Sequence, residues 1–128
     1  MKQLLGDVLL AGTGGFLGAA VRLISCVALS AWGGQWGYAW GTFAVNIVGS
    51  FCMGYVSPFW LSVQHPARVF VLVGVLGGFT TFSSFSADTL RMLQDGRAGA
   101  AALYVGASVL LGLAAAWGGF VLHGWMLK

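Results

Sequence analysis

The sequence predicts an all-α integral membrane protein of four transmembrane helices and invites an antiparallel dual-topology homodimer. Three observations predict it. Of 128 residues, 59% are hydrophobic and 7% charged, whereas soluble domains carry about a quarter charged residues. No Asp, Glu, Lys or Arg occurs from Leu23 to Ala67, a stretch that would aggregate in water and is ordinary in lipid. The lysines and arginines also divide evenly between the two sides of a four-span hairpin, so neither orientation is favoured.

The elements follow from length. A span needs roughly 20 mostly apolar residues, which places spans at Leu5–Leu29, Ala39–Leu61, Val69–Leu93 and Ala98–Leu122. The opening "MKQLLGDVLLAG" raises a secretory signal peptide, but its apolar character outruns the roughly 7–15 residues of a signal core and Asp7 interrupts it. It reads as a span. "WGGQWGYAW" from Trp32 joins turn glycines to Trp and Tyr, which favour the lipid–water interface. Pro66 sits near the start of the third span, where a missing amide donor costs nothing, and "QDGRAG" around Gly96 forms the third turn. The whole chain, 1–128, makes one four-span domain. Cys26 and Cys52 fall inside spans and read as small apolar packing residues rather than a disulfide.

Lys2, Arg68 and Lys128 flank one side, and Arg91 and Arg97 the other, with Arg22 near that second side. Three against three invites insertion both ways and hence an antiparallel pair. Four short helices pack solid, so a conduit would form where two subunits meet. Glycines at small-xxx-small spacing, Gly14–Gly18 and Gly74–Gly78, let helices approach closely. The net charge of +3 is too small and scattered for nucleic acid.

Polar groups inside a bilayer are costly, and each is a functional hypothesis by default. Arg22 lies about 26 Å along the first helix, close enough to snorkel to the far headgroups or to draw an anion at a pore mouth. Asn46 stands in the apolar run "GTFAVNIVGSF". It either bonds a neighbouring helix or turns its amide donor to a desolvated anion. "GGFTTFSSF" from Gly77 gathers breakers, hydroxyls and rings without a charge. Its glycines lower helix propensity and its hydroxyls compete for backbone partners. A discontinuous helix at mid-depth frees carbonyls and amides to bind ions; an intact helix with back-bonded hydroxyls is the alternative. Phe82 and Phe85, three apart, share a helix face, and ring edges are positive. With no carboxylate mid-span, such a lining suits an anion better than a cation.

"GGFLGAAVR", "GTFAVNIVGSF" and "GVLGGFTTFSSFSAD" resemble the Fluc (CrcB) fluoride channels of microorganisms, over nearly the whole chain. The resemblance implies antiparallel homodimers of the bacterial inner membrane with two fluoride pores along the interface. Pore-lining rings map onto Phe82 and Phe85 and the pore asparagine onto Asn46. Ser83 and Ser84 resemble the polar track beside the rings, which Tyr104 and Ser108 on the fourth span continue. Arg22 matches an arginine near the vestibule. The resemblance further implies a structural sodium ion on the two-fold axis, held by the main-chain carbonyls of Gly77 and Thr80 from both subunits.

The nearest rival is a small dual-topology multidrug-type transporter, which needs a carboxylate deep in the first span; Asp7 is too near its end. A purely structural membrane subunit is a second rival. An enzyme fits least, because His65 and His123 sit at span ends, far from any serine cluster or mid-span carboxylate.

Overall fold

The computed structural model describes residues 1–61 and 66–126, so Lys128 and His65 of the expectations above lie outside the described residues. Among the described residues the chain is helical with no strand. Helix α1 runs Lys2–Ser30, a short tight turn follows at Gly34–Trp36, and α2 runs Gly37–Leu61. The third span begins with α3 (Pro66–Arg68), widens into a π-wound segment at Val69–Leu76, and regains α geometry in α4 (Gly77–Phe79). Helix α5 covers Phe82–Gln94 and α6 Ala98–Met126. Among the described residues, four stretches are long and apolar enough to cross a membrane: Lys2–Ser30, Gly34–Phe59, Pro66–Gln94 and Ala98–Met126. The order and number agree with the sequence. Several ends extend beyond the expected bounds, as at Lys2 and Met126, because a helix continues through interfacial residues such as Lys2 and His123 that hydropathy discounts.

The packing follows the glycine spacing. Helix α1 lies chiefly against the π segment, then against α2 and α4, and α2 lies chiefly against α6. A Cβ placed on Gly14 or Gly18 would run into the carbonyl oxygens of Phe70 and Val75. In return, one on Gly74 would come 2.8 Å from the Gly14 Cα, and one on Gly78 2.6 Å from the Gly15 oxygen. The two predicted glycine pairs therefore face each other with their backbones in contact. The third turn uses Gly96 at φ 71°, a conformation that side chains with a Cβ rarely adopt.

At that end Arg97 lies over the Trp36 ring, 4.9 Å from its centroid, tying the third turn to the first. Trp36 and Tyr104 pack on the small buried cluster of Ala39, Met92 and Ala101. At the other end of α2 and α6, Tyr55 meets His123 edge-on at 5.5 Å. The interior is thin. Few residues of α6 are buried within the chain, and Leu103, Leu110, Leu113 and Trp117 give it an exposed apolar face.

Candidate functional site

The site forms where the third span leaves helical geometry. Thr80 adopts φ −83°, ψ 156° and Thr81 φ −152°, ψ 120°, two extended residues between α4 and α5. Thr80 keeps a hold on the preceding turn, since its N–H and its Oγ1 both donate to the Leu76 carbonyl, each at 3.0 Å. Thr81 caps α5, its Oγ1 accepting from the Ser84 N–H at 3.1 Å, the ordinary means of satisfying an orphan donor at a helix start.

Asn46 reaches across from α2. Its Oδ1 accepts from the Thr81 N–H at 2.8 Å and its Nδ2 donates to the Thr81 carbonyl at 3.0 Å. The side-chain amide pairs with the Thr81 peptide groups as a neighbouring strand would. Of the two expected roles of Asn46, the interhelical bond is present, and Asn46 also lines a cavity beside the extended pair. Arg22 comes from α1, half-buried, and its Nη1 donates to the Thr80 carbonyl at 3.3 Å. It turns inward to the extended pair and does not snorkel.

The hydroxyls and rings lie next to this pair. Thr81 Oγ1 lies 3.1 Å from Ser83 Oγ and donates to Ser84 Oγ at 3.2 Å. The Phe82 and Phe85 centroids are 5.5 Å apart, tilted by 44°, and Phe85 and Tyr104 are also 5.5 Å apart. Phe82 is 79% exposed, so its ring belongs to an outer face that a partner or lipid must cover. Tyr104 Oη donates to Asp88 Oδ2 at 3.4 Å. Ser108 Oγ is buried without a hydrogen-bond partner, which leaves its proton free.

Two cavities adjoin here. One of about 500 Å³ is lined by Arg22, Cys26, Tyr38, Thr42, Ser84 and Asp88. The other, about 330 Å³, is lined by Asn46, Gly49, Ser50, Thr80, Thr81 and Phe82. The predicted residues Arg22, Asn46, Thr80, Phe82, Ser83, Ser84 and Phe85 are thus drawn together, with Tyr104 joined through Phe85. Gly77 is one turn back, and Ser108 one turn along α6.

The carbonyls of Gly77 and Thr80 suit a hard cation. In an unbroken helix the Thr81 N–H would go to Gly77 and the Ser84 N–H to Thr80. Here those donors go to Asn46 and to Thr81 Oγ1. Arg22 takes one lone pair of the Thr80 oxygen, and a carbonyl has two.

Sequence reasoning placed the threonines at the break without singling out Thr81, the residue with the most partners at the site. Its signal was present: a threonine immediately before a helical run, with its cap acceptor three residues from Ser84. Thr42, buried on the larger cavity, was missed, and nothing in its local sequence distinguishes it.

The chain matches the family described as CrcB-like protein, Camphor Resistance (CrcB), over residues 9–120. It is similar to the fluoride-specific ion channel FluC of Rhodospirillum centenum, 46% identical over 118 residues that cover 90% of this chain and 93% of that protein. The protein of the same name from Elusimicrobium minutum is 43% identical, covering 91% and 93%. That of Hydrogenovibrio crunogenus is 45% identical, covering 83% and 82%.

Proposed function

This chain belongs to the CrcB family, and from that premise we propose that it is a fluoride-specific ion channel that lets F⁻ leave the cytoplasm passively. The family is a channel family and not an enzyme family, and the chain is a multi-pass bacterial membrane protein. The observation that carries the channel reading is the row of rings Phe82, Phe85 and Tyr104 running beside the hydroxyls of Thr81, Ser83 and Ser84.

The chain acts as one four-span unit, in an antiparallel homodimer with two pores along the interface. The even charge balance supports dual insertion, and the outward apolar face of α6, with the exposed Phe82 ring, supports a partner copy. The third span is a broken helix near the membrane midplane. Thr80 and Thr81 are its break, and the freed carbonyls of Gly77 and Thr80 from two copies would hold a structural sodium ion on the two-fold axis.

Fluoride is small and strongly hydrated, so a narrow path must replace its water with donors. Arg22 in the vestibule attracts the anion, and Asn46, the hydroxyls of Ser83, Ser84, Tyr104 and Ser108, and the ring edges of Phe82 and Phe85 take it in turn. A rigid lining rejects the larger chloride. HF entering from acidic surroundings dissociates inside, and the inside-negative potential drives F⁻ out by about 2.3 kcal/mol per 100 mV. The test is fluoride efflux from liposomes holding the purified protein, read with a fluoride electrode, with chloride run alongside. Fast fluoride release with little chloride release is the expected result; none from well-folded dimers would overturn the reading.

A further inference from the structure

We infer that Thr81 sets the selectivity of the path as the hub of its hydroxyl network, and that Asn46 is a positioning residue acting through Thr81. The inference rests on the fluoride-channel reading above and refines it: that reading makes Asn46 a donor to the anion and Thr81 one hydroxyl beside the rings, whereas here Thr81 is the hub and Asn46 acts through it.

Thr81 is 92% buried, at 8% exposure. Every polar atom it owns has a partner. Its N–H and C=O are both held by the Asn46 amide, at 2.8 and 3.0 Å. That pair also fixes which way the amide faces: the peptide N–H needs an oxygen and the carbonyl needs an N–H. Asn46 therefore clamps an extended residue that has no ladder of its own.

The hydroxyl protons can be counted. Thr81, Ser83 and Ser84 bring three O–H groups and make two contacts among themselves, at 3.1 and 3.2 Å. Thr81 Oγ1 already accepts from the Ser84 N–H and gives its own proton to Ser84 Oγ. The Ser83 contact must then run from Ser83 to Thr81. One proton is left over, that of Ser84, and Ser84 lines the cavity that holds Arg22. A donor chain runs Ser83 to Thr81 to Ser84 and ends in a free O–H on the cavity that Arg22 also lines, and each bond polarises the next.

Thr81 is therefore what aims that free donor. Because Asn46 holds it at two backbone atoms, the hub cannot shift to suit a larger ion. Removing the hydroxyl frees the chain; removing Asn46 frees the hub. Either change reaches the anion by the same route.

Two experiments decide this. In the liposome assay, Thr81→Val is expected to lower fluoride efflux at least tenfold and to lower the fluoride-to-chloride ratio, while Thr81→Ser stays within about threefold of the parent. Asn46→Ala should cost at least tenfold, and Asn46→Ala with Thr81→Val no more than the worse single change, dimer recovery on gel filtration being equal throughout. Losses that multiply, or Thr81→Val with parental selectivity, would overturn the inference.

Where Asn46→Ala fails to form dimers, amide hydrogen exchange on the unsubstituted protein gives the answer. A Thr81 N–H equally protected with and without saturating fluoride supports the clamp. Deprotection by fluoride, as Asn46 leaves to bind the anion, refutes it. An unsubstituted protein that passes no fluoride would defeat the channel reading instead, and the exchange measurement would still decide the clamp.

Discussion

Gly49→Ala tests whether the extended pair must stay where it is. Gly49 lies three residues beyond Asn46 on α2 and lines the same cavity. A Cβ there would collide with the Thr80 Cγ2 and sit 3.2 Å from Phe79 Cδ1. Thr80 has little freedom to yield. Its Oγ1 and N–H both hold the Leu76 carbonyl, and its own carbonyl receives Arg22. Rotating the side chain to clear the new methyl would break the Oγ1 bond, at about 1 kcal/mol. Keeping that bond forces α2 and the third span apart, an overpacking cost of about 1–3 kcal/mol.

Alanine also gains roughly 1 kcal/mol of helix propensity over glycine, so the net loss of stability is about 1 kcal/mol and the variant should fold. Flux is affected more. Any shift of Thr80 moves Thr81 and its hydroxyl contacts, and each 1.4 kcal/mol of lost anion stabilisation is tenfold in rate. The expected outcome is dimer recovery within twofold of the parent with fluoride efflux at least tenfold lower. Gly99→Ala, where a Cβ meets nothing within 4 Å, is the control and should match the parent in both. Parental efflux from Gly49→Ala would refute the reasoning, because it would mean the position of Thr80 does not govern the path.

Further predictions follow from the same contacts. Gly18→Ala drives a methyl into the Val75 carbonyl and to 2.8 Å from the Phe79 N, both backbone atoms, so dimer recovery and thermal midpoint in detergent should fall. Phe85→Ile removes the ring that joins Phe82 to Tyr104 and should reduce liposome fluoride efflux at least tenfold with dimer recovery unchanged. Arg22→Ala loses both the charge on the larger cavity and the bond to the Thr80 carbonyl. Its efflux should fall severalfold, with Arg22→Lys intermediate. Arg97→Ala removes a contact over Trp36 worth about 0.5–1 kcal/mol at an exposed site and should lower the thermal midpoint slightly while leaving fluoride efflux at the parental level.

The sequence made some layers of this molecule plain and hid others, for a physical reason. Four spans, the turns at Gly34 and Gly96, and the facing pairs Gly14–Gly18 and Gly74–Gly78 were legible because each depends on local properties: apolar length, a positive φ, a missing Cβ. Most residues drawn together at the break stood out as well, because polar groups are conspicuous in an apolar run, but Thr81 and Thr42 were not singled out. The partners of these residues were not legible. A threonine that leaves the helix releases a donor and an acceptor, and nothing local says who takes them. At Thr81 the taker is Asn46, 35 residues earlier, and at Thr80 it is Arg22, 58 residues earlier. Those pairings need α1 and α2 brought against the third span, and for α1 the approach is set by glycines that carry no polar signal.

This dependence gives the glycine contacts a functional meaning beyond close packing. Gly18 brings α1 so near the third span that Arg22, one turn along the same helix, reaches the Thr80 carbonyl instead of the headgroups. Gly49 does the corresponding work on α2 for Asn46 and the extended pair. Close approach at two glycines, against backbone at Gly18 and against the Thr80 and Phe79 side chains at Gly49, therefore decides which polar groups the extended residues meet. A change at either glycine should alter anion passage through a side chain that has not itself been touched.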